Sequence, residues 1–296
     1  DGSPLYTLAV AVDDVLMKVT HVLRGEDLLS STPRQIRVYQ AMGLALEDYP
    51  VFAHLPFVMG QDNAKLSKRN GEVSIAWYRD KGFLPEAICN YLALLGWSPG
   101  DDRENVTMKE LTELFTVEKV HSSPARFDMK KLEAINGDKI RALTIDEFLD
   151  WSLPFLTKAG VVSGSADEIA LVKLALPLIQ ERIIMLSEVP AMLKFLFVKN
   201  FAVEADSVAK ITDDASKQVL ERSLKELEPL ATWTHESIEA ALRSSLIEEM
   251  GLKPRIAFGA VRIATTGSTI SPPLFESMEL LGKEASLARI RAGIKL

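Results

Sequence analysis

The sequence predicts a mainly α chain with an N-terminal α/β piece. Three observations carry that expectation. Strand-like runs are confined to the first sixty residues. A helical pattern opened by Pro33 lies between two of them. From Pro85 onward, apolar residues recur at helical spacing almost without interruption.

Leu5 to Val12 is mostly apolar and reads as a strand, with Asp13-Asp14 marking the turn after it. Val19 to Leu23 alternates apolar and polar residues, as a half-buried strand does, and Gly25 breaks it. Thr32 reads as an N-cap with Pro33 at the first helical position, which predicts a helix to about Met42. Val51 to Met59 is another extended run, so strand, helix and strand follow one another as in a βα unit. The turn formers Gly60, Asp62 and Asn63 then lead into a loop, Lys65-Leu66-Ser67-Lys68-Arg69. In the segment from Pro85 to Leu95, Ile88, Tyr91, Leu92 and Leu95 share one helical face, and Gly96 closes it. Further helices are predicted over 107–115, 128–135, 144–159, 166–198, 212–228, 234–250, 253–264 and 272–294. Soft boundaries fall near 80, 144 and 210. No long Gly/Ser or Pro linker separates the parts, so tight packing is expected, and no internal repeat is visible.

A length of 296 residues suits about two domains or three small ones, and apolar residues at 47% suffice for real cores. Cys89 stands alone, which gives neither a disulfide framework nor a Cys-rich zinc site. His21, His54, His121 and His235 are scattered and never fall at metal-ligand spacing. There is no apolar run of the roughly 18 residues that would span a membrane. The chain opens on Asp1 with no charged-then-apolar leader, so no export signal and a reduced cytoplasmic setting are expected. The net charge of −7 argues against indiscriminate coating of nucleic acid. Basic residues nevertheless concentrate at Lys65–Arg69, at Lys119–Arg141, at Arg255 with Arg262, and at Lys283–Lys295, which fits an acidic protein with a basic contact path.

The loop Lys65–Arg69 is the sharpest chemical signal. Two lysines and an arginine around a serine suit the negative charge that grows on a polyphosphate as it leaves an acyl centre. Short basic runs are common, and the plain alternative is a solvated loop.

The surrounding segments decide between the two. Asp1-Gly2-Ser3-Pro4-Leu5-Tyr6-Thr7-Leu8-Ala9, Thr20-His21-Val22-Leu23-Arg24-Gly25-Glu26-Asp27 and Ser31-Thr32-Pro33-Arg34-Gln35 come first. His54-Leu55-Pro56 then precedes Lys65-Leu66-Ser67-Lys68-Arg69, a variant of the class I signature written KMSKS. Asn90-Tyr91-Leu92-Ala93-Leu94-Leu95-Gly96-Trp97-Ser98, Ser123-Pro124-Ala125-Arg126-Phe127-Asp128 and Ser271-Pro272-Pro273-Leu274-Phe275-Glu276 follow. Together, in this order over nearly the whole chain, they resemble the bacterial glutamyl-tRNA synthetase family. No HIGH-type His-x-Gly-His occurs, so the resemblance implies the C-terminal three-fifths or so of a longer synthetase.

The resemblance implies the end of a Rossmann-type catalytic domain with its KMSKS-type loop over 1–80 and a stem-contact domain over 81–143. Helical anticodon-binding subdomains would occupy 144–209 and 210–296. It assigns Lys65 and Lys68 to the pyrophosphate leaving from ATP, with Ser67 holding the loop's geometry. Glu26 and Asp27 lie where the family contacts ATP or the acceptor end of tRNA, with ordinary charged helix-entry residues as the plain alternative, and Asp27 and Val58 are taken as ATP contacts. Tyr6, on the family's strand beneath the amino-acid pocket, would bond the glutamate side chain. Arg24, at the carboxyl end of a strand, would hold its carboxylate. The plain alternatives are a half-buried strand tyrosine and an ion pair of Arg24 with Asp13, Asp14 or Glu26. Val10 departs from the pattern, which has an asparagine there that helps hold the amino acid.

Arg126, Lys130, Lys131, Lys139 and Arg141 would contact the phosphates of the tRNA stem, unless they merely form a solvated basic helix. Arg262 with Ser271, Pro272 and Leu274 would form the anticodon pocket, where splayed bases meet an arginine beside a rigid Pro-Pro turn. A helix start set by consecutive prolines is the structural alternative. Arg182, on the long helix from Ala166, is a second anticodon candidate, whereas Phe195, Leu196 and Phe197 are expected in the core. The implied substrates are ATP with Mg²⁺, glutamate and tRNA(Glu), with no protein-bound zinc, no membrane, and a monomer. Helical C-terminal domains favour this family over glutaminyl-tRNA synthetase, and an anticodon region disfavours a tRNA-modifying paralogue. Because the HIGH-type half of the ATP site is missing, the 296 residues alone are expected to bind tRNA without forming the adenylate.

Overall fold

A computed structural model describes residues 2–60, 66, 74–198 and 201–296. The fold divides into two compact units, one of residues 1–77 with 85–135, the other of 78–84 with 136–296. The architecture is mainly helical with a few short strands. Among the described residues no helix is long and apolar enough to cross a membrane.

The first unit opens on α1 (Tyr6–Leu16), where a strand is expected. The amides of Leu8 and Ala9 bond to Leu5 O and start a helix through the apolar run. Asp13 and Asp14 fall inside that helix rather than in a turn. Strand β1 (His21–Gly25) pairs in parallel with β2 (Val51–Leu55), setting Arg24 opposite His54. Between them, a 3-10 turn (Glu26–Ser31) feeds α2 (Thr32–Ala41). The N-cap falls on Ser31 with no side-chain bond, so Thr32 begins the helix instead of capping it. Tyr39 of α2 is fully buried against the rings of Tyr49 and Phe52. Its hydroxyl donates to Asp14 Oδ2 at 3.2 Å, and burial, with the Asp14 charge behind it, pushes its pKa up to about 12.

Pro56 divides the second extended run. Beyond it, β3 (Val58–Met59) pairs in parallel with β4 (Ala125–Arg126), a strand without a sequence signal of its own. Helix α3 (Ile75–Lys81) precedes α4 (Pro85–Leu94), which forms as expected. Asn90 of α4 is fully buried, donating to Glu104 O at 2.9 Å and accepting from Val106 N at 2.8 Å. Trp97, Val106 and Leu111 form a small core beneath α5 (Met108–Leu114).

Helix α6 (Met129–Ala142) is longer than expected, and its C-terminal part belongs to the second unit. Then come α7 (Ile145–Lys158) and α8 (Ala166–Ala175). The starts of α5, α7 and α8 are set by capping boxes: Thr107 with Glu110, Thr144 with Glu147, Ser165 with Glu168. At the last of these, hydrogen bonds from Ser163 and Ser165 hold the pKa of the Glu168 carboxyl at about 2.

The expected helix over 166–198 breaks into α8, α9 (Pro177–Gln180) and α10 (Val189–Leu193), with 3-10 turns at Leu186–Glu188 and Lys194–Leu196. Pro177 and Pro190 lack the amide that a helix interior requires and sit in the first turns of new helices. Then follow α11 (Ala205–Val208), α12 (Asp214–Leu227) and α13 (His235–Leu242). A π-helical turn (Arg243–Glu249) continues α13. The chain closes with α14 (Pro254–Thr266), α15 (Leu274–Leu281) and α16 (Lys283–Ile294). The last two, expected as one helix, part at Gly282, whose φ is +86°.

Leu220, Leu242, Leu246, Val261, Met278 and Ile290 lie at the centre of this unit's apolar core. Arg289 crosses it, 8% exposed, donating to Thr265 O at 2.7 Å and Phe195 O at 2.8 Å, with its guanidinium 3.9 Å over the Phe201 ring. Burial lowers its pKa to about 10. Both carbonyls close helical turns that would otherwise lack donors. Arg289→Met is therefore expected to destabilise the unit by about 3 kcal/mol, since it leaves two buried acceptors unpaired. Urea unfolding of the variant measures this, and a change under about 0.5 kcal/mol would assign those carbonyls to water.

Candidate functional site

In the first unit, the candidate residues gather at the carboxyl end of β1. The Arg24 Nη2 donates to Thr32 Oγ1 and Gln35 Oε1, both at 2.8 Å, and to Leu28 O at 3.3 Å. Its Nη1 reaches Tyr6 Oη at 3.3 Å and its Nε reaches His54 Nε2 at 3.4 Å. The guanidinium also lies 5.4 Å from the Phe52 ring centroid. None of these partners is a carboxylate. The expected alternative pairing with Asp13, Asp14 or Glu26 is not the one adopted; Glu26 instead accepts from Phe57 N at 3.3 Å. Such an arrangement holds a positive charge rigidly at the mouth of a parallel strand pair, where ligands meet α/β sheets.

Tyr6 keeps its place beside Arg24 although it stands on α1 rather than on a strand. Val10 stands on the same helix. Thr32, Gln35 and His54 were not among the expected site residues. The parallel register puts His54 beside Arg24, and the spacing Thr32/Gln35 puts both side chains on one face of α2. Gln35 is fully buried and its Nε2 has no partner among the described residues. Asp27 folds back over Gly25, its Oδ1 2.5 Å from where a Cβ would stand. A side chain at residue 25 would displace it.

Lys65, Ser67, Lys68 and Arg69 lie outside the described residues. Leu66, between them, donates its amide to Val58 O at 3.0 Å. That bond ties Leu66 to β3, where Val58 is expected to meet the nucleotide.

The five expected stem contacts separate on burial. Arg126 and Lys130 are exposed. Lys131 is paired with Glu104 at 2.7 Å and Arg141 with Asp138 at 2.5 Å. Lys139 is 7% exposed, on the inward face of α6, which removes it from a surface row.

In the second unit, Arg262 of α14 donates through Nη1 to Ser271 Oγ at 2.6 Å and Pro272 O at 2.9 Å. Burial and the neighbouring Arg182 guanidinium lower its pKa, and Glu276 opposes them. Arg182 is exposed in the turn after α9, not on a long helix. The fold thus brings two like charges together beside a Ser-Pro-Pro turn. Leu274, 3% exposed, anchors α15 in the core beneath it. Two guanidinium groups held near each other at some cost are suited to an anionic or hydrogen-bond-accepting ligand.

A family profile described as tRNA synthetases class I (E and Q), catalytic domain, matches residues 1–134. A second, described as anticodon binding domain, matches residues 129–294. The chain is 51% identical over 297 residues to the glutamate–tRNA ligase of Saccharopolyspora erythraea, and 50% identical over 303 residues to that of Paenarthrobacter aurescens. Each match covers 99% of this chain and 59% of the relative, so the chain spans about three-fifths of their length. Among solved structures, a glutamate tRNA ligase from Elizabethkingia meningosepticum in complex with its amino acid superposes with a TM-score of 0.81 at 29% identity. The superposition covers 100% of this chain and 61% of that one.

Proposed function

Because the chain belongs to the glutamate–tRNA ligase family of class I synthetases, we propose that it supplies part of the catalytic site and the anticodon-binding region of an ATP-dependent ligase. That ligase joins glutamate to the 3′ end of tRNA(Glu). The relatives are longer, and the complete reaction is assigned to a protein of their length.

In this reading Arg24 binds the glutamate side-chain carboxylate, and Tyr6 Oη donates to the same group. The α-carboxylate attacks the α-phosphorus of ATP, which arrives with Mg²⁺, and pyrophosphate leaves. Lys65 and Lys68 offset the charge that develops on the leaving group, Ser67 shapes their loop, and Asp27 and Val58 border the nucleotide. The terminal ribose hydroxyl of tRNA then attacks the glutamyl carbonyl and AMP departs. Arg126 and Lys130 follow the stem phosphates, while Arg262 and Arg182 receive the anticodon; Ser271 and Pro272, expected in that pocket, are buried and hold the Arg262 guanidinium, and Leu274 is buried in the core beneath it. The four segments bounded near 80, 144 and 210 divide this work between chemistry, stem and anticodon. The protein is proposed to act as a cytoplasmic monomer.

The observation that supports the reading most is Arg24 itself, a fixed guanidinium with no carboxylate partner at the carboxyl end of a parallel strand. For the RNA half, a tRNA(Glu) transcript should bind the 296-residue chain about 50-fold more weakly at 200 mM than at 50 mM salt, as expected for about four phosphate contacts. Transcripts with altered anticodons should bind less well, and Arg262→Ala should level them. Binding indifferent to salt and anticodon would overturn the assignment.

A further inference from the structure

The second unit carries a cavity of about 760 Å³ whose lining the anticodon assignment does not use up. Arg262 borders it, but so do Lys210, Arg255 and Gly259. This is within the size range of sites that hold one small ligand or one nucleotide.

The charges here are uncompensated in a protein whose net charge is −7. In the same unit Lys194 pairs with Glu204, Arg222 with Glu226, Arg243 with Glu239 and Arg291 with Glu228, whereas Lys217, Lys225, Lys253 and Lys295 form no ion pair among the described residues. Lys210 and Arg255 are exposed and form no ion pair among the described residues. The nearby Asp213 directs its carboxylate to Ser216 N and Oγ at the start of α12, at 2.9 and 2.8 Å.

Gly259 is the second observation. It lies in the interior of α14, where glycine is worse than alanine, and its φ is not in the left-handed region. A Cβ built there would meet nothing within 4 Å, so packing within the protein gives no reason for a glycine. Bare backbone on an open helix face lets another chain approach closely. Gly259 lies one turn from Arg262 and from Arg255, on one face. Phe258, the aromatic ring of the lining, is already engaged edge-on with Phe275 and by the Arg243 guanidinium, so it offers no stacking platform for a base.

We propose that the α14 surface around Gly259 seats a ribose–phosphate stretch of single-stranded RNA, with Lys210 and Arg255 gripping its phosphates and Arg262 left to read a base. The proposal rests on the anticodon reading of Arg262 and names the backbone seat beside it. The hydroxyls of Ser216 and Thr269, which also line the cavity, face the ribose.

Gly259→Ala separates this from a structural role, because it should act in opposite directions on stability and binding. The midpoint of thermal unfolding should rise by about 2 to 4 °C. Affinity of the 296-residue chain for a tRNA(Glu) transcript should fall by about tenfold. Lys210→Gln and Arg255→Gln should each reduce the slope of log affinity against log salt by about 1. If all three variants bind like the parent while Arg262→Ala still loses anticodon discrimination, the seat is overturned and the anticodon reading stands. If the parent itself does not bind the transcript, both are overturned.

Discussion

Arg24→Lys, placed in a ligase of the relatives' full length, should lower kcat/KM for glutamate by about 10² to 10³-fold while tRNA affinity stays unchanged. The charge is kept in this variant, so the loss measures geometry. One arginine nitrogen serves Thr32, Gln35 and Leu28 O at once, and its neighbours reach Tyr6 and His54. Only a planar fork can satisfy that set and still keep one Nη1 N–H for a carboxylate, whereas an ammonium is a point charge on a flexible stem. Lysine would leave Gln35 Oε1 without its donor in a fully buried place, next to an Nε2 that already lacks a partner. A thousandfold fall corresponds to about 4 kcal/mol of transition-state binding, the scale on which one partner of a hydrogen-bonded charge pair is lost. Aminoacylation over a glutamate series measures it. Unchanged kcat/KM would make Arg24 a structural clasp between β1 and α2, and glutamate recognition would have to be sought elsewhere.

The cluster around Arg24 also marks how much of the site is legible in the residues alone. Arg24 and Tyr6 are singled out by their motifs and stand side by side, yet the element under Tyr6 is not legible. Leu5–Val12 is apolar on nearly every side and rich in valine, so neither a period of two nor one of 3.6 stands out. Only tertiary packing can choose, and α1 buries a single residue, Ala11. Gln35 and His54 need the register of β1 against β2 before their nearness to Arg24 can be known. That pairing is between residues thirty positions apart and leaves no local trace.

The helical region is legible wherever local chemistry sets the ends. Thr107, Thr144 and Ser165, each with Glu three residues on, fix three starts through bonds within one turn. Breaks inside apolar runs are not legible, because 166–198 keeps helical periodicity while Pro177 and Pro190 restart the backbone within it. The polar side chains that knit this unit are equally silent. Gln180 closes the end of α6 by donating to Ile140 O and Leu143 O, and Arg289 ties Thr265 to Phe195. In sequence, each looks like one more polar residue on a helix. The same holds for Lys139, which counts as a basic residue in a row until α6 turns it inward.

Gly82→Ala should produce the largest loss of stability, about 4 kcal/mol, seen as a fall of about 10 °C in the unfolding midpoint of the second unit. Gly82 follows α3 with φ at +83°, and an alanine there costs about 1 kcal/mol in backbone strain alone. The larger part is steric. A Cβ would stand 2.6 Å from Leu186 N and 2.7 Å from Ser187 N, both backbone atoms that no rotamer change can clear. Moving them breaks the Leu186 N–H bond to Gly82 O, 3.1 Å long. It also disturbs buried Asn136, which accepts from Leu84 N at 2.8 Å and donates to Ile184 O at 2.5 Å. Gly160→Ala is the matched control, since Gly160 has φ at +67° and nothing within 4 Å of its would-be Cβ. It should carry the strain alone and lose about 3 °C. Equal shifts for the two variants would mean that the 82–186 approach opens at no cost, and that the turn after α3 is held by its left-handed conformation rather than by its neighbours.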